Sequence, residues 1–259
     1  MPRTESNSRS VWACKSRMRT LKLTIEYDGT DFVGWQSQAD GRTVQDEITK
    51  VLEQVLQRPT TLLGAGRTDS GVHARGQVAS LRTESQLGTG SLLSALNGLL
   101  PDDIVIRSVE EVPAEFHARF SARERVYRYT ISLVPVALGR RYHWYVKYDL
   151  HLESMSQVAS VVNGTHDFEA FSRFDPEAEH YLCTIHSSAW TQSQESLQYE
   201  ICGNRFVHGM VRALVGTMVD VGRGYTSVED FAEILASRDR RRAGMAAPPQ
   251  GLVLEEVRY

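Results

Sequence analysis

The sequence predicts an α+β protein made of two ferredoxin-like halves, each with the element order β-α-β-β-α-β. Apolar residues alternate with polar ones over short segments, which is typical of half-buried strands, and recur every three to four residues over longer segments, which is typical of amphipathic helices. The same order of segments occurs twice along the chain. We expect mostly antiparallel sheets lying side by side, with a central basic cleft between the halves.

The first half begins with LKLTIEY, an alternating segment that ends at the turn signal Asp28-Gly29. The next helix, residues 43–56, carries Val44, Ile48 and Val51 on one face and is expected to stop before Pro59. A second helix is predicted at residues 91–100. Strands are predicted at residues 21–27, 60–66, 76–82 and 104–112.

The second half repeats this order with one additional helix. Its strands are predicted at residues 125–134, 187–192, 197–202 and 252–258, and its helices at residues 151–162, 206–221 and 228–236. The boundary is expected near residues 115–122, so that residues 20–118 form the N-terminal half and residues 119–259 the C-terminal half. Residues 1–19 are polar, rich in Ser and Arg and without periodicity, which predicts a disordered extension; Met18 as the true start and a transit peptide are the alternatives.

Composition bounds the class of protein. The 259 residues are 41% hydrophobic and 24% charged, which is typical of a globular chain and excludes collagen-like and disordered classes. No apolar run approaches the roughly 18 to 20 residues that a membrane span needs. The three cysteines are far apart, which predicts a reducing compartment and no zinc cluster. The net charge is −3, but 25 of the 29 basic residues are arginine, a composition that suits phosphate binding and that GC-rich coding explains equally well.

A glycine-rich loop, GAGRTDSGVHARG at residues 64–76, is the first candidate site. It does not fit a dinucleotide loop, because Asp69 stands where the third glycine is needed, and it lacks the Gly-Lys-Ser/Thr ending of a triphosphate loop. The alternative is that Thr68 to Gly71 simply form a type I turn.

Arg212 favours a functional interpretation of Asp69. The helix around it is apolar almost all round, and a semi-buried guanidinium needs a carboxylate partner because an unpaired buried charge is very costly. Asp69 is a candidate partner. Asp220 lies two turns away on the same helix, beyond the reach of a local pair.

A basic segment follows the predicted boundary. VYRY at residues 126–129 interleaves aromatic and basic residues, a pattern that stacks an unpaired base and holds its phosphate; core-facing tyrosines with a solvated Arg128 are the alternative. Between residues 119 and 141 there are six arginines and one acidic residue, Glu124, which predicts an RNA-binding surface. The run at residues 238–242 is interpreted as a solvated helix end.

The sequence lacks the residue patterns that other catalytic mechanisms require. There is no H-x-x-x-H pair, no Cys/His ligand spacing and no G-x-S-x-G motif, and Cys183 and Cys202 have no visible activating neighbour. A loop carboxylate, a semi-buried arginine, a tyrosine and a basic surface remain. This set suits an enzyme that acts on a nucleobase without metal or coenzyme.

From about Leu21 to Tyr259 the chain resembles the tRNA pseudouridine synthase A family. The motifs occur in the family's order: YDGTDFVGWQ, TVQ, GRTDSGVHA, FHARFSA, VYRY, HDFEAF, MVR and GLVLEEVRY. Ser70 stands where alanine is frequent in the family, the segment at residues 173–184 is acidic and unlike an RNA contact, and residues 1–19 lie outside the match.

The resemblance implies a cofactor-free and metal-free isomerase that converts uridine to pseudouridine at positions 38 to 40 of the tRNA anticodon arm. Asp69 would be the essential carboxylate, as nucleophile or as base, with Arg212 as its ion-pair partner. Tyr127 would stack on the extruded uracil, Arg67 would fill the vacated stack, and Leu252 or Leu254 would wall the base pocket. The resemblance also implies a cytoplasmic homodimer with no membrane contact. The expected RNA contacts are Phe116, His117, Arg119, Arg123, Arg125, Arg128, Arg140 and Arg141.

Two other functions stay open on the residues alone. A tRNA-binding protein with incidental catalysis would keep its activity without the Asp69 carboxylate. A hydrolase that uses Asp69 through a bound metal would be sensitive to chelators, although the ligand spacing for it is missing.

Overall fold

The computed structural model describes residues 17–174, 176 and 178–259. The first half contains strands β1 (Arg19–Tyr27), β2 (Leu63–Gly64), β3 (His73–Thr83) and β4 (Ile104–Val112), with helices α1 (Val44–Leu56) and α2 (Thr89–Asn97). The second half contains strands β5 (Glu124–Ser132), β6 (Trp144–Tyr145), β7 (Gly164–Asp167), β8 (Leu182–Gln192), β9 (Ser196–Gly203) and β10 (Leu252–Arg258), with helices α3 (Leu152–Val161), α4 (Met210–Gly222) and α5 (Val228–Ser237).

The strands of both halves form one continuous sheet in the order β4-β1-β3-β10-β5-β9-β8-β7, with β2 paired to β3 and β6 paired to β5. Strand β10 is the seam. It runs antiparallel to β5 and parallel to β3, where Val253 pairs with His73 and Leu254 with Ala74. The two α+β halves that the sequence predicts are therefore joined edge to edge through the last strand.

Helices cover one face of the second half of the sheet. Tyr129 and Tyr199 are directly paired on β5 and β9 and fully buried, and Trp190 Nε1 lies 3.4 Å from the Met218 sulfur of α4. The opposite face carries ion pairs, such as that of Arg128 with Glu200 at 3.0 Å. One face packed on helices and one polar face is the usual arrangement of an antiparallel sheet.

Capping sets both limits of α1. Thr43 accepts a hydrogen bond from the Asp46 N–H and so starts α1, and α1 ends where Gln57 adopts a φ of 54°. The prediction that α4 starts at Phe206 was wrong, because Gly209 has a φ of 72° and the helix begins at Met210. This shift leaves residues 204–209 as a loop at the N-terminus of α4.

Other differences concern short elements. Of the strand predicted at residues 60–66, only Leu63–Gly64 pairs, and β6 and β7 have no counterpart in the prediction. Strand β1 begins at Arg19, the last residue of the predicted extension. Residues 1–16, and two positions of the acidic segment at residues 173–184, namely 175 and 177, lie outside the described residues.

Candidate active site

The glycine-rich loop between β2 and β3 carries Asp69. Main-chain contacts fix its ends: the Ala65 N–H donates to Val78 O at 2.7 Å, and the Val72 N–H donates to Asp69 O at 3.1 Å, which closes a turn. Gly71 in this turn has a φ of 75°, a conformation that favours glycine. The turn therefore spans residues 69–72 and presents the Asp69 side chain. It is not the type I turn that the sequence allowed at residues 68–71, because the Gly71 N–H donates to Phe32 O at 3.2 Å and Gly71 has a positive φ.

Thr68, the residue before Asp69, is held on both sides. Its hydroxyl lies 2.7 Å from the Tyr27 hydroxyl in a buried contact, and its carbonyl accepts the Trp35 N–H at 3.1 Å. Gly34 makes the close approach possible, since a Cβ there would lie 2.8 Å from Thr68 O. The loop thus rests on β1 and on the segment that follows it, which fixes the backbone that carries Asp69.

Asp69 meets Arg212 across the two halves. Arg212 Nη1 donates to Asp69 Oδ2 at 2.9 Å, and about a fifth of each side chain is exposed, 21% and 22%. Arg212 Nε donates to Ala247 O at 2.8 Å, and the Ala247 N–H donates back to Arg212 O at 2.9 Å. The segment bearing Ala247 lies this close because α4 has a glycine, Gly216, where a Cβ would sit 1.8 Å from Met245 O. Arg212 therefore has the carboxylate partner that its burial required, and its guanidinium is fixed at two points.

His208 is a third member of the cluster, and the sequence did not predict it. Its Nε2 lies 3.5 Å from Asp69 Oδ1, and 46% of its side chain is exposed. A single histidine before a helix has no spacing or periodicity that predicts a role, so only the folded chain reveals the contact.

Tyr127 lies on β5 beside this cluster. It is 8% exposed and packs edge-to-face against Phe206 with ring centroids 5.1 Å apart. Burial raises the pKa of the Tyr127 phenol, the negative charge of Asp69 raises it further, and Arg125 opposes the shift. The phenol is therefore neutral at physiological pH.

Both leucines that the sequence proposed for the pocket wall lie on the same face as the tyrosines. Leu254 pairs with Tyr127 and Leu252 with Tyr129 across the antiparallel β10 and β5, and both are buried. Arg67, two residues before Asp69, is exposed.

The proposed RNA contacts divide into two sets. Arg125 donates to the carbonyls of four residues from both halves, Ala65, Arg119, Ala122 and Asn204, and burial lowers its pKa. Arg128 is paired with Glu200 and Glu255 on the polar face of the sheet. These two guanidinium groups make contacts within the protein, and their role as RNA ligands stays a prediction. The buried Tyr127 and Tyr129 agree with the alternative of core-facing tyrosines.

Phe116 and His117 also make internal contacts. Phe116 packs on Tyr259 with centroids 4.8 Å apart, and His117 Nδ1 accepts the N–H groups of Arg119 and Phe120. The arginines of the predicted set that stay exposed are Arg119, Arg123, Arg140 and Arg141. The basic surface is therefore narrower than the sequence suggests.

Over residues 17–174, 176 and 178–259, no three His, Cys, Asp or Glu side chains come together as a metal site requires. In the same part of the chain, no helix combines the length and apolar character needed to cross a membrane.

Comparison with known proteins gives concordant similarities. A family model described as tRNA pseudouridine synthase matches residues 23–121 and 158–259. The chain is 43% identical over 244 residues to tRNA pseudouridine synthase A of Acetivibrio thermocellus, covering 93% of this chain and 100% of that protein. The protein of the same name from Citrifermentans bemidjiense is 43% identical over 245 residues, covering 93% and 98%, and that from Chlorobium phaeobacteroides is 42% identical over 243 residues, covering 93% and 94%. Asp69, His208 and Arg212 lie in the matched ranges of the family model, whereas Tyr127 lies between them.

Proposed function

This chain belongs to the tRNA pseudouridine synthase family, and we propose that it isomerises uridine at positions 38 to 40 of the tRNA anticodon arm, using the Asp69 carboxylate. One observation carries the assignment of the site: the Asp69–Arg212 ion pair of 2.9 Å joins the two halves of the molecule beside the buried Tyr127. The reaction breaks the bond between N1 and C1′, turns the uracil and joins C5 to C1′. N1 gains a proton and C5 loses one, so the isomerisation balances without an oxidant, a reductant or a cofactor.

Two roles for Asp69 fit this geometry. As a nucleophile, one carboxylate oxygen would form a bond to C1′ while N1 leaves; as a base, it would remove the proton from C2′. Both roles need one oxygen that is free to reach the sugar. Oδ2 is engaged by Arg212 at 2.9 Å, which makes Oδ1 the oxygen that meets the nucleotide.

The target uridine must leave its stack before it reaches Asp69, a step that costs a few kcal/mol. We assign Tyr127 as the ring that receives the uracil, with Leu252 and Leu254 as the apolar wall beside it. This assignment rests on the pairing of both leucines with tyrosines across β10 and β5. Arg67 is exposed next to the site and is proposed to fill the place that the base leaves.

The exposed arginines support RNA binding. Arg119, Arg123, Arg140 and Arg141 are proposed to contact the tRNA backbone, because their guanidinium groups remain exposed. The whole chain has a net charge of −3, so binding depends on where the arginines lie. We propose a homodimer, in which arginines of two protomers line one groove, and a cytoplasmic location, where tRNA is available.

The decisive experiment is pseudouridine mapping on an unmodified tRNA transcript incubated in EDTA with the wild type or with Asp69→Asn. We expect pseudouridine at positions 38 to 40 with the wild type only. We also expect tRNA binding by the variant to stay within about tenfold, because one carboxylate in a positive cleft contributes little to phosphate contacts.

Each alternative function has its own outcome in the same experiment. Pseudouridine made by Asp69→Asn would remove Asp69 from the chemistry. Loss of wild-type activity in EDTA, restored by a divalent cation, would favour a metal-dependent reaction. Binding of tRNA by both proteins without pseudouridine would favour a tRNA-binding protein.

A further inference from the structure

The two oxygens of the Asp69 carboxylate have different neighbours. Arg212 Nη1 lies 2.9 Å from Oδ2, whereas His208 Nε2 lies 3.5 Å from Oδ1. One contact leaves a carboxylate free to turn about its own axis, whereas a contact at each oxygen fixes its plane. We propose that His208 is a positioning residue that orients Oδ1, the oxygen left to react with the nucleotide. This inference rests on the proposed function.

The backbone of His208 is held on both sides. The Arg173 N–H donates to His208 O at 2.9 Å, and the Met210 N–H donates to Val207 O at 3.1 Å. Gly209, with its φ of 72°, then turns the chain into α4, whose first turn carries Arg212. The same short segment therefore delivers both side chains to Asp69, one to each oxygen.

The distance of 3.5 Å is longer than a formed hydrogen bond of about 2.7–3.2 Å. Contacts in an active site are often long without substrate and shorten when the reacting group is bound. With 46% of its side chain exposed, His208 lies at the open side of the cluster, where the nucleotide has to enter. We therefore expect this contact to shorten when the nucleotide is bound.

Single-turnover kinetics separate this role from a structural one. Enzyme in excess is mixed with an unmodified tRNA transcript, and the rate of pseudouridine formation is measured against enzyme concentration. His208→Phe keeps a planar ring without nitrogen, and His208→Gln keeps an N–H donor. His186→Phe is the matched control, because His186 is 43% exposed and contacts a different carboxylate, that of Glu124, at 3.1 Å.

We expect His208→Phe to lower the saturating rate about tenfold, the effect of losing one hydrogen bond, with the half-saturating concentration within about twofold. His208→Gln should stay within about threefold of the wild type, because it retains a donor for Oδ1. His186→Phe should match the wild type.

Two results would overturn the role of His208: a wild-type rate in His208→Phe, or a rate in His208→Gln as low as in His208→Phe. If His208→Phe fails to fold, His208→Leu takes its place in the comparison with His208→Gln. A wild-type protein that makes no pseudouridine at pH 8 would instead overturn the proposed function, and this inference with it.

Discussion

Asp69 and Arg212 are 143 positions apart in the chain, yet their side chains are joined by a hydrogen bond of 2.9 Å. Each comes from a different half of the molecule, Asp69 from the loop before β3 and Arg212 from the first turn of α4. The pair therefore reports whether the two halves are correctly assembled, and the site exists only in the complete sheet.

Replacing Arg212 by lysine keeps the positive charge but removes the two-point guanidinium contact. An ammonium cannot reproduce the planar fork that reaches both Ala247 O and Asp69 Oδ2. We expect the single-turnover rate to fall about 100-fold, as for a displaced catalytic group, and the free energy of unfolding to fall by about 1–3 kcal/mol. Arg241→Lys is the control, since Arg241 is 89% exposed and pairs with Asp239 instead of Asp69. A wild-type rate in Arg212→Lys would show that charge alone suffices.

Replacing Tyr127 by phenylalanine tests what the phenol does beyond stacking. The ring contact with Phe206 is retained, so half-saturation by tRNA should change by less than about twofold. In the proposed function the neutral hydroxyl faces the uracil, so its loss should lower the rate about three- to tenfold. In Tyr129→Phe, which loses the hydrogen bond to Pro248 O, the unfolding free energy should change more than the rate. Full turnover in Tyr127→Phe would restrict Tyr127 to a stacking role.

The buried hydroxyl pair of Tyr27 and Thr68 predicts a coupling energy. Removing either hydroxyl leaves the other buried without its partner at 2.7 Å, which costs about 1–3 kcal/mol of unfolding free energy. In Tyr27→Phe with Thr68→Val, the loss should be smaller than the two single losses added together. Urea unfolding measures all four proteins. Tyr142→Phe is the control, because it removes a hydroxyl that contacts Asp28 at 2.8 Å on a side chain that is 43% exposed. If the loss in the double variant equals the sum of the two single losses, the Tyr27–Thr68 contact does not contribute to stability.

His73 predicts a dependence of stability on pH. Burial lowers the pKa of His73 below its ordinary value of 6.5, although Asp28 at 3.1 Å opposes the shift. The neutral ring accepts the Gly29 N–H at Nδ1, 2.9 Å away. Between the two pKa values the unfolded chain takes up a proton that the folded chain resists, so the free energy of unfolding falls as pH drops below 6.5.

Urea unfolding at pH 5 to 7.5 measures the slope of the free energy of unfolding against pH. His73→Asn keeps an acceptor for the Gly29 N–H and should flatten it, because asparagine does not titrate. His186→Asn, at an exposed position, should leave it unchanged. An equal slope in the wild type and His73→Asn would assign the dependence to other groups.

Local patterns predicted the longer elements because their causes are local. The apolar stripe of α1 and its Thr43 cap lie within a few residues of each other. The alternating burial along β1 is likewise a pattern of neighbouring residues. The predicted start of α4 was wrong because the helical periodicity of the sequence extends over Phe206 to Gly209. The backbone at Gly209 is not helical, and α4 begins only after it. The continuity of the sheet depends on β10 pairing with β3, about 180 residues earlier, and no local pattern contains that pairing.

The candidate site divides in the same way. Asp69 and Arg212 were paired in the prediction because a semi-buried cation demands an anion, a requirement that holds in any fold. His208 was not predicted because a half-exposed histidine does not require a carboxylate partner. Arg125 and Arg128 were expected on the RNA surface because arginine clusters attract phosphate, but the structure directs both toward carbonyl and carboxylate groups of the protein itself.

Strand β10 has a consequence for the synthesis of the protein. It occupies residues 252–258, so it leaves the ribosome after every other described element, and until then β3 and β5 each present an open edge in the middle of the future sheet. Open edges are sites of aggregation. A nascent or truncated chain that lacks these residues would therefore be both inactive and prone to self-association. The quality-control machinery of the cell would encounter it as a protein with an incomplete sheet.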